Sequence, residues 1–279
     1  QVKPNESNYS MNSVRQPAVA GLFYAGSAPQ LQKDVTRLLR DAAEAQLHNN
    51  PIQPKAIIVP HAGYIYSGAT AAKAFAAVTP LSTTIKRVVM LGPAHRTKLR
   101  GLAITDVQYF RTPLGDIPID QAANSASLTL PEVQIMDSAH WQEHSLEVQL
   151  PFLQTVLDDF TLIPVIVGDS TSAEVNRLLD LLWGGPETLI VISSDLSHFH
   201  DYSTAQYIDR STCEAIEHFD LEHIDIKQAC GSIGLKGLLQ AAKQRNMQVH
   251  TLGLCNSGDT SGDQERVVGY GSWAFTDSH

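Results

Sequence analysis

Five short runs of apolar residues constrain the fold of this chain more than any other feature. Each run is five to seven residues long, and none alternates between apolar and polar positions. Such runs are too short for typical helices, and the lack of alternation indicates strands buried on both faces, as in a parallel sheet. The runs are "AIIVP" (56–60), "RVVMLGP" (87–93), "LIPVIVG" (162–168), "TLIVISS" (188–194) and "HTLGLCN" (250–256).

Helical patterns separate these runs. The segment 27–46 opens with a serine cap and a proline, and it places four aliphatic residues on one face. Strands that alternate with helices predict an α/β domain with a central, largely parallel sheet flanked by helices. The other expected helices are 67–78, 144–160, 172–183 and 232–245. Two segments differ: 102–120 alternates and contains turn residues, which predicts an antiparallel hairpin or an edge extension, and 266–275 is expected to be a closing strand.

One domain is expected over residues 14–279. The chain has 279 residues, and no Gly/Ser/Pro-rich linker is long enough to divide it. The polar segment 1–13 lacks the apolar centre of a signal peptide. We interpret it as a disordered lead-in or a remnant of expression.

Composition excludes two classes of partner. The net charge is −9, without the basic face or cluster typical of nucleic-acid binders. No apolar stretch approaches the length of a membrane span. The three cysteines, few and odd in number, favour a reducing compartment over a disulfide framework. We therefore expect a cytoplasmic protein that binds neither nucleic acid nor membrane.

Three of the apolar runs lead to a histidine. His61 and His95 follow the first two runs, and His198 follows "LIVISSDLS", in which Asp195 lies. Ligands of open α/β sheets bind outside the carboxyl ends of the strands, so only the sheet can gather these distant residues. A single loop histidine is usually structural, but three at equivalent positions beside small residues predict one site.

Imidazole chemistry indicates a metal at this site. Neutral imidazole is a common ligand of zinc, iron and copper, and a histidine off the metal is a candidate general base. The residues alone leave the third ligand open among Asp195, Glu147, His144 and Cys230.

Two of these candidates also have structural interpretations. Glu147 shares a helix face with His144 at spacing i, i+3, but an early-turn glutamate also complements the helix dipole. Cys230, beside a glycine near a helix start, is either a low-pKa thiolate or a small buried residue.

An ordered set of motifs resembles the Memo family (AmmeMemoRadiSam system protein B in prokaryotes). The motifs are "PAVAGLFYAGSAPQL", "IIVPHAGYIYSG", "LGPAH", "YFRTPLGDIPID", "EHSLEVQLPFLQ", "LIPVIVGD", "SSDLSH", "DRSTCEAIEHFD" and the Cys-Gly pair at 230–231. The resemblance extends over nearly the whole chain from about residue 14.

This resemblance implies a fold similar to that of the class III extradiol (LigB-type), non-haem-iron dioxygenases. It implies His61, His95 and Cys230 as metal ligands, the cysteine standing where the dioxygenases carry a glutamate, and His198 at the position of the catalytic base. Iron(II) is the implied ion, with copper or zinc as alternatives, because a thiolate softens the site. The resemblance also implies functional links to AMMECR1-like and radical SAM proteins.

Three functions follow as hypotheses. The first is a metal-dependent redox or oxygen-related enzyme acting on an unknown small molecule or peptide, with His198 as acid/base and Asp195, His144 and Glu147 orienting the ligands. The second is a non-catalytic protein that binds a peptide or small ligand in the same cleft. The third is a zinc-type hydrolase.

Overall fold

A computed structural model describes residues 13–260 and 262–278 of the chain. The expectation for residues 1–13 therefore lies, apart from Ser13, outside the described residues. The strands are β1 (Val14–Arg15), β2 (Ala56–Val59), β3 (Arg87–Pro93), β4 (Leu102–Ile104), β5 (Tyr109–Thr112), β6 (Gly115–Pro118), β7 (Val133–Ile135), β8 (Thr161–Val167), β9 (Thr188–Ser193), β10 (His198–His200), β11 (Gln248–Asn256) and β12 (Val267–Thr276). The α-helices are α1 (Ala28–Ala45), α2 (Ala69–Val78), α3 (Gln121–Ser127), α4 (Leu150–Val156), α5 (Ser172–Leu182), α6 (Tyr202–Glu217), α7 (Ser232–Gln244) and α8 (Ser257–Thr260).

A nine-stranded mixed sheet organises the fold, in the order β10-β12-β2-β9-β3-β8-β4-β7, with β11 paired to β12. The four central strands β2, β9, β3 and β8 run parallel. Antiparallel pairs flank them, β12 beside β2 and β4 beside β8. The α/β prediction is confirmed, but the expectation of a largely parallel sheet holds only for the centre.

Helices cover both faces of this sheet, which explains why the central runs lack alternation. Along β2, Ile57 and Val59 belong to the hydrophobic core under α1, α2 and α4. Ala56 and Ile58 belong to the core under α5, α6 and α7. All four side chains are completely buried, so each position selects for an apolar residue.

The run 250–256 behaves differently from the prediction. It forms part of β11, which pairs antiparallel with β12, and most of its residues remain partly or fully exposed. The expectation of a strand buried on both faces is wrong here. β11 pairs only with β12 among the described strands and lies outside the parallel centre of the sheet.

Two further segments refine the prediction. The expected helix 144–160 is shorter: a 3-10 turn at Glu147–Gln149 leads into α4, which has Pro151 in its first turn. The hairpin expected within 102–120 is confirmed, whereas the edge extension is not, because β4 lies between β8 and β7. The first part of this segment is β4 of the main sheet, and its second is the β5–β6 hairpin of a small sheet with β1.

Candidate ligands meet at one edge of the sheet because three neighbouring parallel strands end level there. Val59 at the end of β2 pairs with Ser193 at the end of β9, and Leu91 of β3 pairs with Ile192.

No helix within the described ranges combines the length and the apolar character needed to cross a bilayer.

Candidate metal centre

Three histidines cluster beyond this strand edge. His61 and His95 each lie two residues beyond the end of their strands, β2 and β3. His144 reaches the same place from the loop before α4. The ring centroids are 5.0 Å apart for His61 and His95, 5.4 Å for His61 and His144, and 4.6 Å for His95 and His144. The sheet therefore brings together His61 and His95, which are far apart in sequence, and the third ring of this cluster is His144 rather than the His198 that the run pattern indicates.

Cys230 enters the cluster from the turn before α7. Its Sγ lies 3.4 Å from His61 Nε2, and the backbone amide of Asp195 donates to the same sulfur at 3.4 Å. Gly231 makes this approach possible, since a Cβ there would lie 2.5 Å from the carbonyl oxygen of Ser193. The amide of Gly231 donates to Ser194 Oγ at 3.0 Å, which ties the turn to the end of β9.

These residues form a group that could hold a metal ion. One ligand atom from each of His61, His95 and Cys230 lies within 4.8 Å of the other two. A sulfur and a nitrogen bound to one tetrahedral metal, at bond lengths of about 2.3 and 2.0 Å, stand about 3.5 Å apart. The 3.4 Å between Cys230 Sγ and His61 Nε2 is close to that spacing. The donor set therefore fits a transition metal.

A buried hydrogen-bond network determines the tautomer of His61. Ser193 Oγ donates its only proton to the carbonyl of Ser145 at 2.7 Å and accepts from Gln149 Nε2 at 3.2 Å. With the hydroxyl proton on that carbonyl, we assign the ring proton of His61 to Nδ1, which lies 2.7 Å from the same oxygen and donates to it. His61 Nε2 is left unprotonated and faces Cys230, as a metal ligand requires.

Glu143 orients His95 in a comparable way. Its carboxylate lies 2.9 Å from His95 Nδ1 and also accepts from the backbone amides of His95 and Ser145. Burial raises the pKa of Glu143, but the hydrogen bond and charge of His95 and the two amides outweigh it and lower the pKa to about 2. Burial lowers the pKa of His95, and Glu143 outweighs this too, so the net shift is upward. An ionised Glu143 thus holds a proton on His95 Nδ1, so a metal would bind this ring at Nε2 and displace any proton there.

The remaining groups favour neutral forms. Burial, reinforced by His95 and His144, holds the pKa of His61 well below its usual value. Burial and the nearby charge of Asp195 raise the pKa of Cys230 to about 12. A metal ion bound to this sulfur would supply the positive charge that converts the thiol to a thiolate.

Asp195 lies within the cluster. Its Oδ1 accepts from the amide of His61 at 2.8 Å, and its Oδ2 lies 3.6 Å from His61 Nε2. Burial raises its pKa, and the His61 amide and the charge of His198 are the main opposing influences. His198 itself is half-buried at the start of β10, three residues after Asp195 in the chain.

Glu147 does not join the group. Its buried carboxylate accepts from Arg15 Nη1 at 2.8 Å, from the amides of Ala18 and Val19, and from the hydroxyl of Tyr24 at 2.7 Å. These contacts tie the segment before α1 to the body of the fold. They do not support the prediction that Glu147 orients the metal ligands.

Glu143 is the main functional residue that the sequence analysis missed. It forms a second potential ligand group with His95 and His144. Its carboxylate already serves as the hydrogen-bond acceptor of His95, so we assign it to orientation rather than ligation. The stretch "EHSLE" contains both glutamates, and nothing in it distinguishes the one that faces the histidines.

Comparison with known proteins places this chain in one family. The family model described as Memo-like protein matches residues 15–274. A MEMO1 family protein of Aquifex aeolicus is 34% identical over 92% of this chain and 97% of its own length. MEMO1 family proteins of Thermotoga neapolitana and Sulfolobus acidocaldarius are 33% and 32% identical, covering 92% and 95% of this chain and 98% and 100% of their own lengths.

Proposed function

This chain belongs to the Memo-like protein family, and we propose that it is a metal-dependent redox protein that holds iron(II) through His61, His95 and Cys230. The proposal includes the likeness to the class III extradiol dioxygenases that the motifs imply. The convergence of two imidazoles and one sulfur within 4.8 Å carries it.

The hydrogen-bond network around the group supports a role in metal binding. Ser193 and Glu143 each hold a proton on the Nδ1 atom of one histidine, so both rings present Nε2. Outer partners of this kind orient ligands and raise their basicity. A mere cluster of structural histidines would not need both protons directed away from the cysteine.

The other residues of the cleft have distinct tasks in this proposal. A bound iron ion would supply one-electron and oxygen-related chemistry. We assign His198 the role of accepting or donating a proton at the edge of the cluster. The carboxylate of Asp195 accepts from the amide of His61, and the amide of Asp195 donates to Cys230 Sγ. Asp195 therefore holds these two ligands beside each other.

Metal analysis tests the proposal. Protein purified without chelators and loaded anaerobically with iron(II) should retain about one ion per chain, because three protein ligands form one site. His61→Ala and Cys230→Ser should lose it, whereas His48→Ala, an exposed histidine after α1, should not. A wild-type protein that retains no iron, copper or zinc would refute the proposal.

A zinc-type hydrolase is the second candidate, because nitrogen and sulfur ligands also suit zinc. It predicts that activity is retained with a redox-inert metal such as zinc and that turnover needs no dioxygen. A non-catalytic binding protein, in contrast, would keep its function in His198→Ala.

A further inference from the structure

A cavity of about 680 Å³ opens beside the candidate metal centre. Ser193 and Cys230 belong to its lining, so it adjoins the ligand group directly. Much of the remaining wall is aliphatic, formed by Leu91, Val167 and Ile192 at the strand ends and by Ile233 of α7. Its volume falls in the range of about 300–1,000 Å³ that is typical of small-molecule sites.

Basic side chains border this apolar cavity. Lys98 and Arg100 are exposed residues of its lining, and Asp169 is the one acidic residue among the lining residues. Arg96 lies in the same loop after β3. In the part of the chain that the structure describes, none of these three cations forms an ion pair. This local excess of positive charge contrasts with a net charge of −9 for the chain, and it would attract an anion.

We infer that the cavity binds a small organic anion: an apolar body against the aliphatic wall, and a carboxylate, phosphate or sulfonate group beside Lys98 and Arg100. That the bound anion is also the substrate rests on the proposed function. Its chemical class rests on the cavity alone.

Gly234 offers a direct way to fill the cavity. A Cβ at this position of α7 would find its nearest neighbours at 3.8–3.9 Å, in ordinary contact, so a side chain can be added there. The other lining glycines differ: a Cβ at Gly92, Gly168 or Gly231 would come within 2.7 Å of another atom. Gly234→Leu should therefore occupy the space, and Gly234→Ala should leave most of it open.

A pair of fluorescent probes tests the inference. Anilinonaphthalene sulfonate carries an apolar body and an anion, and N-phenylnaphthylamine is the same body without the sulfonate. Wild-type protein should bind the sulfonate more tightly. Gly234→Leu should weaken both probes by more than about tenfold. The double variant Lys98→Gln/Arg100→Gln should weaken only the sulfonate, by about fivefold for each cation. Lys33→Gln, on α1 across the sheet, is the matched charge control.

Equal sulfonate affinity in wild type and in the double variant would overturn the inference. The double variant changes only exposed side chains, so its result remains decisive even if a thermal melt shows that Gly234→Leu fails to fold. Metal content, measured on the same preparations, separates the two claims. Bound metal with unchanged probe binding refutes the anion site alone. The expected probe pattern with no bound metal refutes the proposed function alone.

Discussion

Removal of the Ser193 hydroxyl should weaken metal binding without a direct change to any ligand. Ser193 Oγ is completely buried and takes part in three hydrogen bonds, with His61 Nδ1, Gln149 Nε2 and the Ser145 carbonyl. In Ser193→Ala, the Nδ1 proton of His61 loses its acceptor. The ring must then either leave that donor unpaired or move the proton to Nε2, the atom that the metal needs.

The structure sets the scale of this effect. A buried donor without a partner costs about 1–3 kcal/mol, and each 1.4 kcal/mol corresponds to about tenfold in affinity. Loss of an orienting partner typically costs about ten- to a hundredfold in metal affinity. We expect Ser193→Ala to fall within that range.

Competition with a chromophoric chelator measures the affinity of metal-free protein for zinc. Ser127→Ala is the matched control, because Ser127 is also completely buried and donates to a carbonyl, that of Ala123 at 2.8 Å, within α3. Zinc affinity equal to that of wild type in Ser193→Ala would refute the assignment of the His61 tautomer.

Three further predictions concern the fold around the site. Glu147→Gln should leave Arg15 buried without its counter-charge and lower the free energy of unfolding in urea by about 3–5 kcal/mol, with unchanged metal stoichiometry; lost metal with full stability would contradict this. Burial lowers the pKa of His140 from 6.5 to about 4. Between these values the unfolded chain binds more protons, so stability falls by about 3 kcal/mol as the pH drops through this window. Unfolding measured against pH should show a shallower slope in His140→Gln, and an unchanged slope would refute this. Thermal melts should show that Gly237→Ala lowers the stability by about 1–3 kcal/mol, because the added Cβ would overlap Val175 of α5. Gly234→Ala should raise the stability by up to about 1 kcal/mol, because its Cβ has room and alanine favours the helix. Equal effects of the two substitutions would contradict this.

The α/β architecture was predictable because burial on both faces leaves a direct trace in sequence. Ala56–Val59 and Thr188–Ser193 form central strands in which every residue is buried, so their runs show no alternation. The run 250–256 has a similar composition, yet it lies in an antiparallel strand with exposed positions. Composition over seven residues does not distinguish the two environments, because pairing partners are determined by the whole sheet.

The position of the site was predictable where it follows the strands. His61, His95 and Asp195 are placed by the parallel register, which a sequence pattern can indicate. Glu143 and Cys230 arrive from loops whose course depends on tertiary contacts, such as the close approach of Gly231 to β9. The residues alone offered Cys230 as one of four candidate ligands and the family motif singled it out, whereas Glu143 became apparent only from its contact with His95.

Cobalt(II) spectroscopy tests the central claim, that Cys230 binds a metal together with His61 and His95, most directly. Cobalt(II) added to metal-free protein should produce an intense near-ultraviolet charge-transfer band from a coordinated thiolate. We predict that Cys230→Ser abolishes this band, whereas Cys213→Ser and Cys255→Ser, which change the other two free cysteines, retain it. A band that persists in Cys230→Ser, or the absence of a band in the wild-type protein, would contradict the account.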